Sequence, residues 1–383
     1  MSSRKTRVCV INPFGYELFD PAARAARVFG GVEVQLYYLT TALARLDDFE
    51  VSMVVERPES TADGVLDGVR EGVRMLTVPR ERAAMTRIRT HVPIPLAAYL
   101  AAMDKAHADV YLQRGGALLT GDVALHCLLH RRRFAFMAAH DWDCDHHHRA
   151  GAQYLTGTYY AAGLRRADLV YAQSEFQRDQ LERHHGVSSR VQRTVYPPAD
   201  VAAPAERQHV LWVGRCVDWK RPTVFLDLAE SQPDVPFVMA CAPYEGEHSL
   251  YEAVARRAKT IPNVRFLGFV PFAETEDLFR HAYVAVNTST AEGFPNTFVQ
   301  AARVATPVLS LEVDPDGILG KHGLGACAGG DSALLAVQLS HVLDDDATWQ
   351  RQSRNALDYF RQTHDLDAIL PGFAASLREL CDR

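Results

Sequence analysis

The chain has 383 residues, of which 48% are hydrophobic and 23% charged, and its formal net charge is −6. That length is long for one core and suits two domains, and the composition is that of an ordinary soluble globular protein. The acidic balance argues against a nucleic-acid binder, although residues 1–200 carry 25 Lys and Arg against 23 Asp and Glu and the remainder 16 against 24.

In chain order, apolar runs of strand length alternate with helical patterns, the signature of parallel α/β sheets. The opening "MSSRKTRVCVINPF" has basic residues and one short apolar strand, not a signal-peptide core. Strands are predicted next at "FEVSMVVE", "VRMLTVP", "DVYLQR", "RFAFMAAH", "LVYAQS" and "RVQRTVYP". Before the first of these, "VEVQLYYLTTALARL" repeats Val32, Leu36, Leu39, Leu43 and Leu46 at three- and four-residue steps, which predicts a helix. "YPPADVAAPAERQ", Tyr196 to Gln208, is rich in Pro and Ala, lacks any period and reads as a linker. The pattern restarts with strands at "HVLWVGR", "PFVMACA", "VRFLGFV", "YVAVNTS" and "PVLSLEV". The last segment, from Asp346, is helical with an expected break near Pro371. The predicted architecture is two doubly wound domains, 1–200 and 201–364. In such sheets ligands are expected outside the carboxyl ends of the strands, and with two domains face to face in the cleft between them. No stretch approaches the roughly 20 apolar residues of a membrane span. Cys9, Cys127, Cys144, Cys216, Cys241, Cys327 and Cys381 are scattered, form no CxxC pair and read as reduced thiols, so the expected location is cytoplasmic.

"TAEGFPNTFVQAARVATPVLS", Thr290 to Ser310, places Glu292 just past a strand end. A tight Gly-Phe-Pro turn follows, then a helix from Pro295 or Asn296. The free amides and dipole of that helix mouth suit a phosphate or polarised hydroxyl oxygens. A carboxylate beside them accepts hydrogen bonds from sugar hydroxyls, and a plain helix cap fits the same pattern. In "LWVGRCVDWKRP", Arg215 ends a strand and Lys220 precedes a helix starting at Pro222. Two such cations suit a diphosphate, Arg as a fork and Lys as a point charge, and would steady a departing nucleoside diphosphate. Solvated surface charge is the alternative. "VFGGVEVQL" sets Gly30 and Gly31 before a helix, for close approach to a ligand or merely for a turn, and lacks the GxGxxG fingerprint. "FAFMAAHDWDC" ends a strand at His140 and Asp141, a substrate contact or a satisfied structural pair. In "DWDCDHHH", Asp141, Asp143, Asp145, His146, His147 and His148 are too contiguous for a tetrahedral zinc site, and a polar loop without metal is expected. "PRERAAMTRIRTHVPIPLAAYLAAM" mixes Arg80, Arg82, Arg87 and Arg89 with an apolar run. It reads either as a peripheral contact with an anionic membrane or as a solvated loop before a core helix.

Together these pieces resemble the GT-B glycosyltransferases, most closely glycosyltransferase family 4. The motifs, in the family's order, are "GGVEVQLYYLTTALARL", "HD" at His140, "YAQSEFQRDQLERHHGV", "VYPPADV", "VGRCVDWKRP", "NVRFLGFVP" and "EGFPNTFVQAARVATPV". The resemblance implies two Rossmann-like domains across a cleft, with a C-terminal helix, about 365–383, packing back on the first. It implies retaining transfer from a nucleotide-diphosphate sugar, with no metal and no other cofactor, to a glycan, a lipid-linked glycan or a small molecule. Glu292 then corresponds to the first acid of the family's Glu-x7-Glu motif and meets the donor sugar, which Gly293, Phe294, Pro295, Asn296 and Thr297 line. Arg215 and Lys220 grip the diphosphate, Gly30 and Gly31 approach it from the other domain, Val270 meets the nucleobase, and His140 lies near the reacting carbon. Gln300 departs from the family, which has Glu there for the ribose hydroxyls; an amide both accepts and donates. A nucleotide-sugar epimerase and a non-catalytic nucleotide-sugar-binding subunit are the rival readings.

Overall fold

A computed structural model describes residues 4–21, 24, 29–57, 68–80, 85, 88–89, 91–92, 96–145, 154–199, 206–244 and 246–383. Among these, the residues within Met1–Ala23, Phe29–Val195 and Leu366–Arg383 form one compact unit, and those within Arg24–Val28 and Tyr196–Asp365 a second.

The first unit is built on eight strands: β1 (Thr6–Ile11), β2 (Phe49–Glu56), β3 (Gly68–Arg70), β4 (Val73–Val78), β5 (Val110–Arg114), β6 (Arg133–Met137), β7 (Leu169–Ala172) and β8 (Arg190–Val191). Their order is β3-β4-β2-β1-β5-β6-β7-β8, parallel except for β3 against β4. Val8 to Ile11 are all buried, the mark of a strand covered on both faces. Its helices include α1 (Gly31–Ala44), α2 (Ala97–Ala106), α3 (Leu118–His130), α4 (Tyr154–Leu164) and α5 (Glu175–His185). The second unit has β9 (His209–Arg215), β10 (Phe237–Ala242), β11 (Val264–Phe266), β12 (Ala282–Asn287), β13 (Val308–Ser310) and β14 (Gly325–Cys327), all parallel, in the order β11-β10-β9-β12-β13-β14. With them lie α6 (Pro222–Glu230), α7 (His248–Ala258), α8 (Thr275–Arg280), α9 (Asn296–Arg303), α10 (Ile318–Lys321), α11 (Ser332–Asp344) and α12 (Asp346–Thr363). A last helix, α13 (Leu366–Asp382), returns to the first unit and packs against α1, β1 and β5. Each unit has its own buried core, around Phe134, Phe136 and Tyr111 in the first and Phe225, Phe237 and Trp212 in the second.

Several local expectations change. "RVQRTVYP" forms a strand of two residues, because the buried Gln35 side chain takes both backbone groups of Val195, accepting from its N–H at 2.7 Å and donating to its carbonyl at 2.9 Å. The helical break falls at His364–Asp365 and not at Pro371, which sits inside α13. Proline within a helix costs ~3 kcal/mol, and here burial of Phe373, Leu377 and Leu380 on the same helix opposes that cost. Of the four arginines read as a membrane-facing cluster, Arg89 is buried and donates to the buried Asp122 at 2.6 Å, and the apolar run after it becomes α2, which buries Tyr99, Ala102 and Met103. Arg82 and Arg87 lie outside the described residues. Among the described residues no helix is long and apolar enough to cross a membrane. All seven cysteines are free thiols, and burial pushes that of Cys9 up to about 12.

Candidate functional site

Parallel strands deliver every following loop to the same edge, so loops after neighbouring strands assemble in sheet order. In the second unit Val270 follows β11, Tyr244 follows β10, Arg215 ends β9 and Glu292 follows β12. Four adjacent loops thereby share one edge. Lys220 closes the 3-10 turn Asp218–Lys220, and its ammonium donates to Glu292 Oε1, which also accepts from Ser289 Oγ at 2.8 Å. The two ion-paired side chains are only 16% and 17% exposed, so solvent screens them less than it screens surface charges.

The pair is held by its loops. Thr288 Oγ1 donates to the Lys220 carbonyl at 2.6 Å and accepts from Trp212 Nε1 at 3.0 Å. Arg221 Nε donates to the Thr288 carbonyl at 2.7 Å, and its Nη2 reaches the Ser289 carbonyl at 3.2 Å and Glu312 at 2.8 Å. Arg221 itself has φ 46°, a left-handed conformation costing a non-glycine residue roughly 1–2 kcal/mol, and these three bonds offset it. Gly214 has a plainer reason: a Cβ there would come within 3.2 Å of Lys220 Cδ and 2.9 Å of the Trp212 ring. Arg215 lies over the Tyr244 ring, 4.9 Å from its centroid, a cation–π contact.

Gly293, Phe294 and Pro295 are buried, with the Phe294 ring 5.1 Å from that of His364. This anchors the turn, and Pro295 caps α9, whose first residues Asn296 and Thr297 are half-buried. Gln300 stands one turn further on, and its Nε2 donates to Thr275 Oγ1 at 3.4 Å, at the start of α8, and so toward the element that follows the Val270 loop.

In the first unit the adjacent strands β1, β5 and β6 are followed by Gly30–Gly31, Gly115 and His140. Gly115 has φ +84°, and a Cβ on it would meet Ala139 at 3.6 Å and Val32 at 3.8 Å, so these three loops lie side by side. Gly30 caps α1 in an extended conformation, and a Cβ there would strike Glu33 Oε2 at 2.3 Å. His140 caps the turn Asp141–Asp143; its Nδ1 accepts from the Trp142 N–H at 3.2 Å and its ring lies 4.1 Å from the Trp142 ring. "YAQSEFQRD" braces that loop: Ser174 caps α5, Gln173 donates to the Ala139 carbonyl at 2.7 Å, and Gln177 donates to Asp141 at 2.9 Å. Asp143 accepts from the backbone N–H groups of Ala139 and His140 at 2.8 and 3.0 Å. Both Asp141 and Asp143 are therefore engaged in shaping the loop; His146, His147 and His148 lie outside the described residues.

The sequence reading missed Ser289, Arg221, Tyr244, Gly115 and Gln173. Gly115–Gly116 repeats the paired-glycine signal seen at Gly30–Gly31, and it was available. The others depend on which loops become neighbours.

Two parallel α/β units in one chain, each gathering polar and glycine residues at carboxyl strand ends, are of the GT-B class. The sucrose-phosphate synthase of Thermosynechococcus elongatus superposes with a TM-score of 0.76 at 17% identity, covering 98% of this chain and 99% of that one. Anabaena Alr3699/HepE in complex with UDP-glucose gives 0.71 at 18%, covering 97% and 99%. Residues 29–203 match the model "Glycosyltransferase Family 4" and residues 207–345 the model "Glycosyl transferases group 1". The fold is that of the GT-B glycosyltransferases, and the chain carries a family 4 glycosyltransferase domain over residues 29–203 and a group 1 glycosyl transferase domain over residues 207–345. It is also 34% identical over 116 residues to a Mycobacterium tuberculosis glycogen synthase, a match spanning 30% of this chain and 27% of that protein's length.

Proposed function

We propose that the protein moves a sugar from a nucleotide-diphosphate sugar to a glycan, lipid-linked glycan or small-molecule acceptor, with retained anomeric configuration and without a metal. The observation that carries the reading is the edge of the second unit, where Arg215, Lys220 and Glu292 follow neighbouring strands. The UDP-glucose complex of the Anabaena neighbour supports a nucleotide sugar as donor.

The Lys220 ammonium has three N–H donors; one meets Glu292, and the others meet the diphosphate while Arg215 supplies a fork. Glu292, fixed by Ser289 and Lys220, accepts from donor sugar hydroxyls. The same cations stabilise the departing nucleoside diphosphate, where negative charge grows, and the leaving phosphate assists deprotonation of the acceptor. Gln300 serves the ribose, Val270 the base, Gly30 and Gly31 the diphosphate, and His140 the reacting carbon.

The test is a panel of nucleotide sugars and acceptors, read as nucleoside diphosphate release, with the product anomer assigned by NMR and EDTA present throughout. Acceptor-dependent release is expected. Arg215→Ala and Lys220→Ala each remove charge-assisted bonds worth about 1.5–3 kcal/mol, a tenfold or greater fall. Donor turnover without any acceptor, inversion at the anomeric carbon, or activity lost to EDTA and restored by manganese would each overturn part of this reading.

A further inference from the structure

At the opposite edge of the first unit, three metal-ligating side chains meet. Helices of a doubly wound unit run back against the strands, so the C-terminal ends of α2 and α3 lie by the amino ends of the strands, away from the His140 loop. Asp104 stands in the last turn of α2, and His126 and His130 stand on α3 at i and i+4, a spacing that puts both on one face. Asp104 Oδ1 is 3.3 Å from His130 Nε2 and 3.8 Å from His126 Nδ1, and one ligand atom from each residue lies within 4.8 Å of the other two. The imidazoles stack with centroids 4.5 Å apart at 26°.

A simple contact at 3.3 Å accounts for His130 with Asp104, but not for His126. At 3.8 Å its Nδ1 is beyond hydrogen-bond reach of the carboxylate, yet close to the separation of roughly 3.4 Å that two ligands take around one tetrahedral zinc. His126 is 2% exposed and sits edge-on to Tyr111 at 4.8 Å. An imidazole fixed by the core, with its Nδ1 facing a carboxylate, is a preformed pair of ligands. His130 and Asp104 are half exposed, which leaves a way in for an ion and room for water on its outer side.

We propose that Asp104, His126 and His130 form a site for a divalent transition metal of the zinc or nickel class, which ties α2 to α3. Imidazole and carboxylate ligands suit these ions, and binding to the folded state alone would raise stability by mass action. The site is remote from the strand ends where His140 lies and takes no part in transfer, so its test reads binding and melting.

The full chain, stripped with EDTA and dialysed, is titrated with zinc chloride and with nickel chloride by calorimetry and then melted with and without metal. One tight equivalent and a raised melting temperature are expected. His130→Ala and Asp104→Asn change half-exposed side chains, and each should weaken that equivalent at least about tenfold and remove the melting shift. A variant with His146, His147 and His148 all replaced by Ala should keep it. No binding tighter than millimolar overturns the site, as does unchanged affinity in both single variants or loss of the equivalent in the triple variant.

Discussion

At Lys220 and Glu292 one contact has two consequences. Removing either partner takes a close counter-charge from the other in a partly buried place, and residues in direct contact are not additive. Glu292→Gln and Lys220→Ala should each cost activity at least tenfold, and the double variant should lose less than the product of the two. A double-mutant cycle on donor affinity measures this; strict additivity would show the pair to be incidental. The charges were legible as strand-end residues. Their pairing was not, because it depends on a 3-10 turn and on the left-handed backbone of Arg221, and no local pattern announces either. A second residue, His209, makes a prediction about acid. It is 5% exposed and bonds the Leu278 carbonyl at 3.0 Å; burial, with Arg265 and His281 nearby, lowers its pKa from 6.5 to about 4. The folded state keeps it neutral while the unfolded chain takes a proton below 6.5, so stability falls as pH drops from about 6.5 toward 4. In urea titrations at pH 7 and pH 5, His209→Gln, which keeps a donor for that carbonyl, should lose about 1–2 kcal/mol less than the parent between the two.

At the scale of elements, the long buried strands were read correctly from apolar runs, as were the three-residue β11 and β13, whereas β3 and β14 were not. The hairpin between β3 and β4 turns on Glu71 and Gly72, with φ 48° and 80°, a two-residue loop lacking the usual Asn-Gly or Asp-Gly signal. β14 is three residues, "GAC", too short to show a period. Its place at the sheet edge depends on Gly325: a Cβ there would lie 1.7 Å from the Val308 carbonyl oxygen. Backbone cannot yield as a side-chain tip does. Gly325→Ala should therefore destabilise the second unit by about 2 kcal/mol or more, visible as a lowered urea midpoint; an unchanged midpoint would mean that β14 contributes little.

At the scale of the whole molecule, the chain leaves its first unit at Val195 and re-enters it at Leu366. The two crossings touch, for the Tyr196 N–H donates to the His364 carbonyl at 2.9 Å and Tyr196 bridges Asp365. The first crossing falls at Tyr196, where the expected Pro- and Ala-rich linker begins, whereas the dividing point between α12 and α13 carries no compositional mark. α13 buries Phe373, Ala374, Leu377 and Leu380, bonds Tyr171 through Ser376, and pairs Arg378 with Asp48 at 2.6 Å. Phe373→Ala should cost about 3–5 kcal/mol, and calorimetry should show that loss in the melting of the first unit, with the second unchanged. The same return of the chain sets an order of events during translation. Domains generally fold in the order in which they leave the ribosome. Here every strand of the second unit has been made before α13 exists, while the first unit still lacks the helix that covers β1 and β5. The half that is synthesised first is the half that matures last, and a nascent chain stalled before residue 366 would expose that uncovered face to chaperones.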